Sequence, residues 1–250
     1  MRNILFTIAY DGTAYHGWQV QVNGVSVQQT IQDALEKVVG ARENIIGCSR
    51  TDAGVHANMY CFNMRTGTAL ACGRLAGALN AHLPFDISVL SCQEVFYEFH
   101  ARYHCVSKEY IYKIWNSPVR NPFQNGYSLH YKYPLDEKAI EHEAESFLGS
   151  HDFASFCSAH SKIKSTVRNV SAVTVSRRGD ELLFSVEADG FLYNMVRIMV
   201  GTLLRIEQGK IERGAIPAIL AAGDRSRAGI TAPAHGLYLN KVNYPSEIIG

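Results

Sequence analysis

A chain of 250 residues, 47% apolar and 19% charged, has the composition of an ordinary globular protein and is long enough for one large domain or two small ones. A net charge of +1 gives no global affinity for nucleic acid or acidic membrane, so any polyanion-binding surface must come from local clustering. The six cysteines (Cys48, Cys61, Cys72, Cys92, Cys105 and Cys157) form no C-x-x-C pair and no secreted framework, and are expected to be reduced thiols of a cytoplasmic protein. Cys48, His56 and Cys61 lack zinc-like spacing. No apolar run reads as a membrane span, and the short one before Asp11 does not read as a signal peptide.

Residues 3–10 alternate as a strand, which the Asp11-Gly12 turn ends. From Thr13 to Gln32 there is no acid, and Tyr15, His16, Trp18, Gln19 and Gln21 interleave rings with amides. That mixture suits contact with bases or sugars, and equally suits a surface loop pinned by a buried Trp18. Ser26 with Gln29 forms a capping box, and Val27, Ile31, Ala34, Leu35 and Val38 recur at helical spacing until Gly40. After the apolar pair Ile45-Ile46, the stretch Gly47–Ala57 reads as a loop between strands. Its small residues Gly47, Ser49, Ala53, Gly54 and Ala57 permit sharp turns and the close approach of a large ligand. It carries one base, Arg50, one acid, Asp52, and one imidazole, His56. Such a loop fits a reaction centre, or a tight turn in which Asp52 only caps a backbone N–H. A strand over 57–64, a helix over 70–82 closed by Pro84 and a strand over 86–96 follow; the order resembles a ferredoxin-like half.

Residues 99–102 are expected to form the hinge to a second half that opens with a strand over 107–115. On that strand Tyr110, Tyr112 and Ile114 share one face, which core packing alone would explain. A helix over 136–148 is ended by Gly149. Between Phe153 and Gly179 there is again no acid, while Lys162, Lys164, Arg168, Arg177 and Arg178 supply a run of one sign. This is either a solvated face or a contact with RNA phosphates. Strands over 168–177 and 181–188 come next. Residues 191–206 are apolar nearly all round and predict a buried helix, interrupted by Arg197. A guanidinium there needs a carboxylate partner or a route to solvent. A short helix from Pro217 and a strand over 235–242 close the chain.

The run Arg50-Thr51-Asp52-Ala53-Gly54-Val55-His56 resembles the signature of the bacterial tRNA pseudouridine synthase A family. Five further stretches resemble it in order: Tyr10-Asp11-Gly12 with Gly17-Trp18-Gln19; Phe99-His100-Ala101-Arg102 followed by Lys108-x-Tyr110-x-Tyr112; Thr166-Val167-Arg168; Phe191 to Arg197; and Gly236-Leu237-Tyr238-Leu239. Together they cover nearly the whole chain, and the one departure is Ser49, where glycine is usual. The resemblance implies an α/β (α+β) pseudouridine synthase fold. Two ferredoxin-like halves, 1–102 and 103–250, would share a central, mostly antiparallel mixed sheet flanked by helices. It implies isomerisation of uridine to pseudouridine at positions 38, 39 and 40 of the tRNA anticodon stem-loop by a homodimer, with no metal, nucleotide or redox cofactor. By the same resemblance Asp52 is the nucleophile, Arg197 pairs with it, and Tyr110 stacks on the target base; Tyr110 is also a catalytic candidate, placed to assist deprotonation at C5. Arg50, Thr51, Arg168 and Leu237 are the further substrate-binding candidates.

The chemistry is consistent with one carboxylate. Glycosidases generally need two, one of them to protonate the leaving oxygen, whereas uracil delocalises the charge it departs with. Asp52 could attack C1′ or stabilise an oxocarbenium-like centre there, and a nearby arginine would keep it ionised. The base must first leave the RNA stack. A non-catalytic RNA-binding protein of the same fold would keep the basic run without needing Asp52 and Arg197 together. A zinc deaminase would need His-x-Glu and Pro-Cys-x-x-Cys, and a nucleotide-dependent enzyme a G-x-G-x-x-G or P-loop; none occurs.

Overall fold

Alternation of apolar residues makes Arg2–Tyr10 the first strand, β1, whose Ile4, Phe6 and Ile8 are fully buried. Ser26 accepts the Gln29 N–H and starts helix α1 (Val27–Val39), and Gly40, at φ 78°, ends it. Strand β2 (Ile45–Gly47) leads through the Asp52 loop into β3 (His56–Thr66). Helix α2 (Cys72–Asn80) and strand β4 (Ile87–Val95) follow, and the Asn80 side chain grips both the N–H and the C=O of Val89. The strands lie in the order β4-β1-β3-β2, all antiparallel. Phe6 sits opposite Phe62, with the two rings stacked 4.8 Å apart. Strand, helix, two strands, helix, strand in that order is the ferredoxin-like arrangement expected of the first half.

The structure is a computed structural model that describes residues 1–158 and 164–248, so Lys162 of the basic run lies outside the described residues. The chain divides into two units, one of Met1–Val106 together with Tyr238–Gly250, the other of Ser107–Leu237. The first therefore extends past the hinge expected at 99–102. The reason is a pair of buried amides. Asn3 donates to Phe99 O (2.8 Å), Asn63 donates to Asn3 Oδ1 (2.9 Å), and Asn63 Oδ1 accepts the Ala101 N–H (2.8 Å). Residues 99–101 are thereby locked inside the first unit.

In the second unit β5 (Ser107–Trp115) pairs in parallel with the short β6 (Leu129–His130). Helix α3 (Glu137–Ala144), capped by Asp136, stops short of the expected 148 by tightening into a 3₁₀ turn over Glu145–Phe147. Gly149, at φ 95°, then opens β7 (Gly149–Asp152) where a helix end was expected. With β8 (Val167–Arg178) and β9 (Glu181–Ala188) the order is β5-β9-β8-β7, antiparallel throughout. Helices α4 (Met195–Glu207) and α5 (Ile216–Ala222) complete the unit, with α3 packed on β8 and α4 on β5.

The last strand, β10 (Leu237–Asn243), runs parallel to β3, placing Tyr238 opposite His56. Asn243 O accepts the Val106 N–H (2.8 Å), and the Tyr244 hydroxyl donates to Ala101 O (2.7 Å). The C-terminal segment, expected in the second half, thus completes the first. Both units are mixed α/β, with mostly antiparallel strands flanked by helices.

Candidate active site

The loop from Cys48 to Val55 joins two paired strands, so its ends are fixed before its interior is considered. Asp52 is its single acid and is half-buried; Thr51 is buried and Arg50 exposed. The Val55 N–H turns back onto Asp52 O (3.2 Å), and Gly54 reverses the chain at φ 76°. From outside, residues 12–18 press on the loop. Trp18 N–H donates to Thr51 O (3.1 Å) and Gly54 N–H to Tyr15 O (3.3 Å). There is no room for side chains in this contact: a Cβ on Gly17 would stand 2.4 Å from Thr51 O, and one on Gly12 2.0 Å from Val55 O.

Aromatic side chains hold the loop from beneath. Tyr10 Oη and Thr51 Oγ1 share a buried hydrogen bond of 2.8 Å, Tyr60 Oη donates to Ser49 O, and Trp18 stacks on Tyr60 with centroids 4.0 Å apart. His56 is buried at the start of β3. Its Nδ1 accepts the Gly12 N–H at 3.1 Å beside Asp11 Oδ1, also at 3.1 Å, and its ring stacks on Tyr238. His56 is therefore a bracket for the loop's end. Burial pushes the Cys61 thiol, on the strand beyond, up to about 12, so it remains a protonated packing group.

In the second unit Tyr110 is buried on β5 opposite Val186, with Phe191 edge-on at 4.9 Å. Tyr112, two residues on, donates to Pro233 O (2.8 Å); burial raises its phenol above the ordinary range although the Arg197 charge acts the other way. The helix expected from Phe191 begins only at Met195, because Asn194 adopts the left-handed conformation, φ 62°. The bend is used: Asn194 Nδ2 donates to Ser158 Oγ (2.8 Å), and Asn194 Oδ1 accepts from Arg197 Nη1 (2.7 Å). Arg197 Nε donates to Ala232 O (2.7 Å), and Ala232 N–H donates back to Arg197 O (3.0 Å). Burial first, and then the Arg197 charge, lower the pKa of His235, which keeps that imidazole neutral at pH 7.

The match to known proteins runs end to end. A family model described as tRNA pseudouridine synthase matches residues 144–245. A tRNA pseudouridine synthase A of Thermoanaerobacter sp. (strain X514) is 45% identical over 244 residues, covering 98% of this chain and all of the relative. One from Acetivibrio thermocellus is 44% identical with the same coverage. The chain belongs to the tRNA pseudouridine synthase A family. Among solved structures, a Cbf5-Nop10-Gar1 complex overlays with a TM-score of 0.38 at 13% identity, covering 97% of this chain and 58% of that one, a likeness too slight to carry weight. Pseudouridine is an isomer of uridine, so this member of the family is an isomerase acting on tRNA uridine.

Within this synthase the candidate residues fall into both units: Arg50, Thr51 and Asp52 in the first, Tyr110, Arg168, Arg197 and Leu237 in the second. Leu237 is buried at the head of β10. Arg168, half-buried at the start of β8, donates to Ser165 O (3.0 Å) and Val167 O (2.6 Å). Arg177, another member of the basic run, is engaged internally by Asn116 Oδ1 and Leu135 O, both at 3.0 Å, with Glu137 at 3.8 Å. A cavity of about 240 Å³ beside it, against Asn116 and Lys132, is lined by none of the candidates. Among the described residues no cluster of three or more His, Cys, Asp or Glu could hold a metal ion, and no helix is long and apolar enough to cross a membrane.

Sequence reasoning missed Asn194 and the segment after Gly229. Gly201 of α4 lies against that segment so tightly that a Cβ would come within 1.8 Å of Ile230 O, and Thr202 Oγ1 accepts the Gly229 N–H (2.8 Å). Gly201→Ala must push residues 229–232 off the helix and with them the carbonyl that holds Arg197. A loss of about 1–3 kcal/mol is expected, read as a lower melting temperature. An unchanged melting temperature would show that the segment yields freely.

Proposed function

We propose that this enzyme converts uridine to pseudouridine at positions 38, 39 and 40 of the tRNA anticodon stem-loop, with Asp52 as the nucleophile. The observation that carries the reading is the setting of Asp52: a single loop carboxylate whose neighbours are hydrogen-bonded on either side, at Thr51 and at Val55. A reacting group held by its surroundings needs no reorganisation at the moment of reaction.

In this reading the target nucleotide leaves the stack and its uracil lies on Tyr110. Arg50, exposed on the loop, occupies the space left in the RNA. Asp52 engages C1′ as the N1–C1′ bond breaks, and the departing uracil takes the electron pair. The ring rotates, C5 bonds to C1′ as the Asp52 oxygen leaves it and the free carboxylate returns, the C5 proton is lost, and N1 gains one. Arg197 pairs with Asp52 and keeps it charged. Tyr112, kept protonated by burial, puts no competing anion beside Arg197, and His235, kept neutral, adds no second cation there. Thr51, Arg168 and Leu237 line the substrate's path. The enzyme works in the cytoplasm as a homodimer that grips one tRNA jointly.

The test is release of tritium from anticodon stem-loop tRNA carrying a single 5-tritiated uridine at 38, 39 or 40, with no cofactor added. Stoichiometric release from all three is expected, and none from a label elsewhere in the tRNA. Binding without release at any of the three would remove the assignment.

A further inference from the structure

Beneath the Asp52 loop lies a group of three aromatic residues, and each of them directs a polar atom upward into it. Tyr60 Oη donates to Ser49 O, the Trp18 backbone N–H donates to Thr51 O (3.1 Å), and Tyr10 Oη meets Thr51 Oγ1 (2.8 Å). The rings support one another: Trp18 is stacked on Tyr60, and Tyr10 is tilted against Tyr60 with centroids 5.7 Å apart. All three are buried, and Tyr10 and Tyr60 lie on the paired strands β1 and β3. The main-chain bonds fix the path of the loop. Of these three bonds, the one from Tyr10 reaches a side chain, that of the residue immediately preceding Asp52.

We infer that Tyr10 is a positioning residue for the isomerisation, acting through the Thr51 hydroxyl to fix the rotation of the backbone that carries the Asp52 carboxylate. The inference rests on the reading of Asp52 as the reacting group. Its chemistry is geometric. The Thr51 carbonyl accepts the Trp18 N–H and the Thr51 hydroxyl meets Tyr10, so the residue before Asp52 is held through both its backbone and its side chain. Without the phenol, the Thr51 hydroxyl is a buried polar atom that must find another acceptor or donor, and the rotation it makes to do so is passed to Asp52. Thr51 still lines the substrate's path in that reading, with its hydroxyl engaged by Tyr10. A misplacement of about 1 Å at a reacting group costs up to about 100-fold in rate, which makes a single hydroxyl bond behind the site worth more to turnover than to folding.

The experiment compares Tyr10→Phe, Thr51→Val and the double variant in the tritium assay, with Tyr244→Phe as the control. Tyr244 loses a buried phenol bond in the same unit, to Ala101 O, so it controls for the loss of a buried phenol without removing the bond to Thr51. Tyr10→Phe is expected to lower kcat about 10- to 100-fold with KM unchanged, while Tyr244→Phe stays within about twofold of the parent. Because both single changes break one bond, the double variant should be no slower than the slower single one. A merely structural role would lower the melting temperature of Tyr10→Phe and Tyr244→Phe alike and leave kcat at saturation equal in both. Equal kcat, or losses that multiply in the double variant, would overturn the inference. Asp52→Asn measured alongside separates the two readings: if it is inactive while Tyr10→Phe is normal, only the positioning role fails, and if it is active, the nucleophile assignment fails first.

Discussion

Asp52→Asn is expected to lower tritium release from tRNA by at least about 10⁴-fold, or ~5.4 kcal/mol of transition-state stabilisation, while tRNA affinity stays within about threefold. Asparagine matches aspartate in shape but carries no charge to meet the developing positive charge at C1′ and is a far weaker nucleophile. The loop should hold its path, because the Asp52 backbone oxygen accepts from Val55 N–H whatever the side chain. Loss of rate without loss of binding is what separates a reacting carboxylate from one that only caps a turn. A variant that kept a tenth of the parental rate would mean that another group meets C1′.

Gly17→Ala should damage the site from outside the loop. Gly17 has φ +82°, where an alanine costs roughly 1–2 kcal/mol, and its new Cβ would lie 2.4 Å from Thr51 O, with Asp52 C at 3.1 Å and Ala53 N at 3.3 Å. All three are backbone atoms, so the overlap is not relieved by a side chain turning aside. It is relieved by parting residues 12–18 from residues 51–54. Adding an overpacking cost of about 1–3 kcal/mol gives a melting temperature lower by roughly 5–15 °C. Turnover below the transition should fall by about 100-fold or more, because the parting moves Asp52 itself. If turnover at saturation were unaffected in the folded variant, the packing of Gly17 would be irrelevant to the site.

Local signals made much of this protein legible. The period-two pattern of residues 107–115 gives a strand with the bounds of β5, and Ser26, Gln29 and Gly40 bracket α1 because caps act within a few residues of themselves. The Asp52 loop stood out for its small residues and its one acid. What holds that loop did not, since Tyr10 and Thr51 are 41 residues apart and nothing in either residue's neighbourhood encodes the other. The amides Asn3 and Asn63 that lock residues 99–101 were hidden for the same reason. Helix α4 was placed early by four residues because the apolar pattern runs through Phe191–Asn194, while the backbone there follows Asn194 into the left-handed region. The basic run was read by charge alone, and Arg177 shows how a cation can be spent on Asn116, Leu135 and Glu137.

The route of the backbone also sets a schedule during synthesis. A ribosome releases residues 1–106 first, with Asp52 among them, then the whole of the second unit, and only at the end the strand that lies beside His56 and Ala57. Until then the nascent first unit has a bare edge on β3, an unanswered carbonyl at Ala101 and an unanswered N–H at Val106, which Tyr244 and Asn243 later satisfy. The unit that bears the carboxylate is therefore first to be translated and last to be finished. A chain broken off before its final strand would strand the Asp52 unit with an open edge, and the cell would meet that fragment as an unfinished sheet exposed to other chains.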